Sequence, residues 1–155
     1  VFIRHSLHVP PPREAVPDAM EALFVALAGE EHPGVRAVLG HFVFVFIHPY
    51  QDGNGRLGRF LMNAMLASGG YGWTVIRVSR RAEYMAALEE ASTRGNIAAF
   101  SRFVAQEMEV EWCWDTTISP VKILVLQLAS VHLVQRVRRS PVAQPNLVVA
   151  ISTDN

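Results

Sequence analysis

Apolar residues along this chain recur at spacings of three and four rather than in alternation, and that period predicts a set of packed helices. From Pro17, a residue suited to a first helical turn, the positions Ala19, Met20, Leu23, Phe24 and Leu27 form one apolar face, which Gly29 closes. His32-Pro33-Gly34 opens a second helix. Its run over residues 35–47 is apolar on nearly every side, so it reads as the central, buried helix; the unbroken length argues against a strand. A third helix follows over residues 56–68, with Leu57, Phe60, Leu61, Ala64, Met65 and Leu66 on its apolar side and Gly69-Gly70 as its stop. Residues 73–78 read as a short extended crossing. Residues 80–91 form an amphipathic helix with Tyr84, Met85 and Leu88 inward, and residues 97–110 form another with Phe100, Phe103 and Val104 inward.

The two ends read differently. Residues 1–9 are rich in β-forming side chains, and Pro10-Pro11-Pro12 forbids a helix there, so the start is expected to be a strand, half of a hairpin or a frayed end. Trp112-Cys113-Trp114 closes the helical unit. One more helix is expected from after Pro120 to about Arg139, followed by a poorly packed tail. The expected fold class is all-α, a helical array with at most a short N-terminal β-hairpin remnant. Residues 1–108 form the main unit, and residues 109–155 a terminal helix and loose tail.

Composition narrows the class. With 155 residues, half of them apolar, the chain can bury a real core. Its formal net charge of zero gives no basic field for nucleic acid, and none is expected as a partner. The single cysteine, Cys113, cannot form an internal disulfide, which fits a reducing, cytoplasmic setting. No apolar run is long enough for a membrane span, since Gln127 and His132 interrupt the longest one. The opening lacks both Met and the order of a secretory signal, so the chain is read as a fragment or a processed product.

Between the central helix and the next lies His48-Pro49-Tyr50-Gln51-Asp52-Gly53-Asn54-Gly55-Arg56-Leu57-Gly58-Arg59. A glycine-rich turn before a helix aims backbone N–H groups outward at a helix N-terminus, where an anion is favoured. Arg56 and Arg59, three apart, share a face of the first turns and suit a polyphosphate. Asp52 among such groups would repel that ligand unless a magnesium ion joins them, and one carboxylate with phosphate oxygens and waters is a usual magnesium shell. His48, at the end of the buried helix, could take a proton from a hydroxyl. Singly, His48 reads as a cap, Gly53-Asn54-Gly55 as a turn and Asp52 as a helix cap. A calcium loop fails because Tyr50 and Leu61 would fill the terminal ligand positions. A P-loop fails because no Gly-Lys-Ser/Thr follows.

The stretch resembles the signature of the Fic (filamentation induced by cyclic AMP) family, His-Pro-Phe-x-Asp/Glu-Gly-Asn-Gly-Arg-x-x-Arg, departing from it at Tyr50. The likeness runs from about Val1 to about Met108. It implies a Fic-like helical fold and transfer of AMP from ATP to a Ser, Thr or Tyr hydroxyl of a target protein. His48 would be the general base and Asp52 the magnesium ligand. Gly53, Asn54 and Gly55 would form the anion hole, and Arg56 and Arg59 would hold the β- and γ-phosphates. Transfer of UMP, phosphocholine or phosphate on the same fold is the near alternative, and a nucleotide-binding module without chemistry the further one. The resemblance also makes residues 2–8 the second half of a flap that pairs with the target backbone. It places Tyr84 in a helix bordering the nucleotide pocket, although its inward position reads first as a core aromatic. His41 reads as structural. Many relatives carry an inhibitory Ser/Thr-x-x-x-Glu-Gly/Asn motif. The one spacing match here, Ser79 to Glu83, is followed by Tyr84 and fails. Any brake is therefore expected from missing upstream sequence or a separate partner. If the chain is a bacterial effector, its setting would be a host cytosol.

Overall fold

A computed structural model of the chain describes residues 6–111, and among these the regular structure is helical throughout. A single 3-10 turn at Arg13–Ala15 leads into α1 (Val16–Ala28), with Pro17 in the first turn as expected. Then come α2 (Pro33–Ile47), α3 (Asn54–Ser68), α4 (Arg81–Arg94) and α5 (Ala98–Glu111), with a second 3-10 turn at Val78–Arg80. Residues 6–9 and 71–77 have no regular structure. Residues 1–5 of the expected flap, Cys113 and the expected helix after Pro120 lie outside the described residues. Within them, no helix is long and apolar enough to cross a membrane.

The central helix is where the periodicity put it. In α2, Val35, Ala37, Val38, Leu39, Phe42, Val43, Phe44 and Ile47 are all buried, packed by α1 on one side and α3 on another, with α5 beneath. His32 caps it, its Nδ1 accepting the Val35 N–H at 3.4 Å. The α2–α3 pair is the most extensive helix contact. Its register is antiparallel, because Gly40 faces Met65 while Gly58 faces His41 and Val45.

Three expected inward faces are rotated from their sequence reading. Leu57 and Phe60 are exposed, while Leu61, Met65 and Leu66 pack inward as expected and are joined by Gly58 and Met62. Close helix approach needs the glycine, and a search for large apolar residues misses that face. In α1, Phe24 points outward while Leu23 and Leu27 go in, because one residue of helix turns the side chain through about 100°. In α4, Met85 is partly exposed, and Tyr84, Ala87, Leu88 and Ala91 form the buried face. Helix α3 also starts at Asn54, two residues ahead of the expected Arg56, which carries the glycine-rich turn into the helix itself.

Two buried polar ties hold the segment between α3 and α4. The Asn63 Oδ1 accepts the Thr74 N–H at 2.6 Å, and Asn63 Nδ2 donates to the Thr74 and Arg59 carbonyls. Glu107, 1% exposed, accepts from Arg80 at 2.5 Å and from Arg77 at 3.4 Å. A buried carboxylate is tolerable only when paired in this way.

Candidate active site

The loop between α2 and α3 begins with a backbone irregularity. His48 sits at φ 53°, ψ 56°, the left-handed region, and it is the one non-glycine with positive φ among the described residues. Its N–H still donates to the Phe44 carbonyl, so the helix hydrogen bonding is complete to that point and the chain then turns away. Pro49 explains part of this, since the residue before a proline is pushed out of the right-handed helical region. A left-handed L-residue costs about 1–2 kcal/mol, and such conformations gather at functional sites.

The turn also fixes the imidazole. Nδ1 lies 3.3 Å from the Val45 carbonyl, which can only accept. Nδ1 is therefore the protonated nitrogen, and Nε2 keeps a free lone pair. The half-buried ring is set to take a proton through Nε2.

The next residues close the loop. Asn54, 2% exposed, accepts the Tyr50 N–H at 3.0 Å and donates Nδ2 to the Tyr50 carbonyl at 2.6 Å. Its side chain is thus committed to the loop's own backbone, and it reaches an anion only through its N–H. Tyr50 rests its ring near Phe44, centroids 6.3 Å apart, and is 54% exposed. The ring is not in the core, and water can solvate the hydroxyl.

Gly53, at φ 84°, is the N-cap of α3 and offers no side chain to the orphan N–H groups of the first turn. That turn holds no acidic residue either. Uncapped N–H groups with the positive end of the helix dipole make an anion site. Arg56 and Arg59 both fold back along it: a Cβ on Gly53 would stand 3.7 Å from the Arg56 Nη2, and one on Gly55 would stand 3.6 Å from the Arg59 Nη1. Asp52 pairs with Arg56 at 3.2 Å, the two side chains 92% and 70% exposed. An ion pair this exposed contributes about 0–1 kcal/mol, so either partner can exchange it for another charge at little cost.

The structure thus brings His48, Asp52, Gly53, Asn54, Gly55, Arg56 and Arg59 together in one loop and helix turn. Tyr84 is not part of that loop but of the core behind it. That residue is 4% exposed in the core, with its hydroxyl 2.9 Å from the His41 Nε2 and its ring near Phe100 and Phe103. Glu83 of the failed inhibitory motif is spent on Arg80. Among the described residues Arg59 takes part in no salt bridge, and the buried glutamate, Glu107, belongs to Arg77 and Arg80.

Three groups near the site had no signal in the sequence, because their partners are far apart along the chain. Glu89 accepts the Ser6 hydroxyl at 2.5 Å and the Leu7 N–H at 2.8 Å, pinning the N-terminal segment to α4. His8 donates Nε2 to the Phe46 carbonyl at 2.7 Å and stacks on Phe46 with centroids 4.1 Å apart. Burial holds the His8 imidazole below its usual range, against the pull of the Phe46 carbonyl and of Glu89, with His48 adding a small push the same way. The third is the His41–Tyr84 pair.

Comparison with known proteins agrees with this geometry. Residues 3–66 match the Fic/DOC family model. The chain is 39% identical over 128 residues to the protein adenylyltransferase Fic of Nematostella vectensis, covering 78% of this chain and 29% of that protein. It is 39% identical over 98 residues to the protein of the same name from Drosophila melanogaster, covering 61% and 20%. Among solved structures it is similar to a fragment of Fic-1 from C. elegans, with a TM-score of 0.63 and 30% identity over 72% of this chain and 34% of that one. A variant of the same fragment gives a TM-score of 0.55 at 27% identity. The chain spans under a third of the length of these curated relatives.

Proposed function

We propose, because residues 3–66 match the Fic/DOC family model, that this chain is a protein adenylyltransferase that moves AMP from ATP to a hydroxyl of a target protein. One observation carries the reading. The left-handed turn at His48 sets a free Nε2 beside an uncapped helix N-terminus flanked by Arg56 and Arg59. A base next to a polyphosphate cradle is what hydroxyl attack on a nucleoside triphosphate needs. Relatives named protein adenylyltransferase Fic support the choice of AMP.

In this mechanism His48 Nε2 takes the proton of the target hydroxyl as its oxygen attacks the α-phosphorus. A new P–O bond forms, the bond from the α-phosphorus to the bridging oxygen breaks, and pyrophosphate leaves. The N–H groups at Gly53, Asn54 and Gly55 and the two arginines hold the phosphate oxygens and stabilise their charge. No group of three or more candidate ligands for a metal occurs among the described residues. The donor set nonetheless suits magnesium, which takes one carboxylate and fills its shell with phosphate oxygens and water. Asp52, exposed at the mouth of the turn, is the residue that would hold it. When bound, the ion supplies neutralisation of phosphate charge.

The target protein is expected to dock beside residues 6–9, which Glu89 and His8 fix next to the loop. Any brake acting on Arg59 would come from another segment or a partner. The single cysteine supports a cytoplasmic setting.

The test is incubation with magnesium and ATP labelled at the α- or the γ-phosphate, with label sought on protein. Label from the α position that disappears in His48→Ala is the expected result. Label from the γ position alone would make the protein a phosphate-transferring enzyme. Nucleotide binding without transfer, unchanged by His48→Ala, would make it a binding module.

A further inference from the structure

Helix α2 ends on carbonyls that its own backbone cannot satisfy. The Phe44 carbonyl takes the His48 N–H, the last bond of the regular ladder. The next carbonyl, that of Val45, would take the N–H of residue 49, but Pro49 has none. The one after it, that of Phe46, would take the Tyr50 N–H, but that donor is spent on the Asn54 Oδ1 at 3.0 Å. Two imidazoles stand in for the missing donors. The His48 Nδ1 lies 3.3 Å from the Val45 carbonyl, and the His8 Nε2 lies 2.7 Å from the Phe46 carbonyl. The sequence that makes the loop thus strips the end of α2 of its donors, and a residue 38 positions from Phe46 supplies one of them.

His8 is itself held on both sides. A carbonyl can only accept, so the ring proton of the neutral imidazole is on Nε2. The ring is buried and packs on Phe46 with centroids 4.1 Å apart. The His8 backbone N–H donates to the Ser6 Oγ at 3.0 Å. Ser6 gives its hydroxyl proton to one oxygen of Glu89, and the other oxygen accepts the Leu7 N–H. A carboxylate has no proton to give, so the donors run in one direction, from His8 through Ser6 to Glu89. Residues 6–8 are therefore clamped between α4, which carries Glu89, and the last turn of α2.

We propose that His8 is a positioning residue for the base: its bond to the Phe46 carbonyl completes the turn from which His48 is aimed. Without His8, the donor that helical register offers this carbonyl is the Tyr50 N–H. Drawing Tyr50 back to Phe46 breaks its bond to Asn54 and displaces His48 and Pro49, which lie between them. The left-handed backbone of His48 is strained, so it persists only where the bonds around it outweigh the alternatives. The His8 donor removes the alternative that would compete most directly. Because Glu89 holds the same residues, the segment beside the loop and the turn that carries the base form one unit. The role of His48 as base rests on the adenylyltransferase reading; the aim of its ring does not.

The first measurement therefore uses the full chain without nucleotide. The ring nitrogens of His48 are observed by NMR in chain labelled at histidine, and identified by their loss in His48→Ala. A ring held on the Val45 carbonyl carries its proton on Nδ1, whereas a released ring shows a mixture of the two tautomers. His8→Phe keeps an aromatic ring against Phe46 and removes the donor, and His8→Leu removes both. His8→Gln can return an N–H near the place of Nε2. Circular dichroism establishes that each variant is folded. Whichever of His8→Phe and His8→Leu folds is expected to show the mixture, and His8→Gln is expected to keep the wild-type tautomer. Transfer of α-phosphate label is the second readout. In the same donor-less variants kcat should fall about three- to tenfold, the effect of one lost hydrogen bond, with the KM for ATP unchanged; loss of the base itself costs about a hundredfold or more. A wild-type tautomer in the folded donor-less variant, or an equal mixture in His8→Gln, would overturn the proposal. Lower activity with the wild-type tautomer would also overturn it and make His8 only an anchor for residues 6–9. A wild-type chain that transfers no label but shows the expected tautomer pattern would refute the adenylyltransferase reading and keep the aim of the His48 ring.

Discussion

Replacing Gly58 by alanine tests the packing that the site depends on. A Cβ there would stand 2.7 Å from the His41 Nδ1, 2.9 Å from the Val45 Cγ2 and 3.0 Å from the His41 Cε1. None of these atoms can easily retreat. Val45 is β-branched and stiff. His41 is stacked on Phe100 and held by Tyr84. Overpacking of this kind costs about 1–3 kcal/mol, and removing a glycine from a helix interior returns about 1 kcal/mol. The net loss should be about 0–2 kcal/mol, with about 1 more if the ring leaves Tyr84.

Gly40→Ala is the matched control, in the facing helix. Its Cβ would meet the Met65 Sδ at 2.8 Å and Cε at 2.9 Å, the mobile end of an unbranched side chain, with Leu27 Cδ1 at an ordinary 3.5 Å. It should be near neutral or stabilised by up to about 1 kcal/mol. Urea denaturation of both variants, compared at equal m-value, reads the difference. Gly58→Ala is expected to fall about 1–2 kcal/mol below Gly40→Ala. Equal stability of the two variants would show that the His41 ring can move aside, and the close-approach argument would fail.

Three further outcomes follow from the same geometry. Asn54→Ala leaves the Tyr50 N–H and carbonyl without their partner in a loop whose Asn54 is buried, and should cost about 1–3 kcal/mol in urea denaturation together with most of the transfer activity. Gly53→Ala, at φ 84°, should cost about 1–2 kcal/mol and weaken pyrophosphate binding measured by calorimetry. For pH, His41 titrates at about 4 when folded, against an ordinary 6.5, because burial disfavours its charged form. The unfolded chain therefore binds the proton first. The stability is complete above about pH 6.5 and is lost as pH falls towards 4, by at most about 3 kcal/mol. Denaturation midpoints across that range should show the loss in the wild type and a smaller one in His41→Gln; equal losses would place the titration on another group.

What the sequence determined by itself was whatever local repetition and local chemistry encode. The period of apolar residues marked the helices, including the buried character of α2, because every turn of a helix repeats the same exposure. The contents of the loop from His48 to Arg59 identified a base, an acid and an anion-binding helix start, because those groups are neighbours in the chain. The tertiary structure decided the rest. The left-handed turn that frees the His48 Nε2 depends on a carbonyl at the end of a packed helix. The rotation of α3 onto Gly58 depends on how closely two helices approach, which hydrophobicity alone does not weigh. Tyr84 was correctly inward from its pattern, yet its pairing with His41, 43 residues away, and the tie of Glu89 to Ser6, 83 residues away, arise only when separate helices pack. Periodicity tells a side chain which way to face, and only the assembled core determines what it meets there.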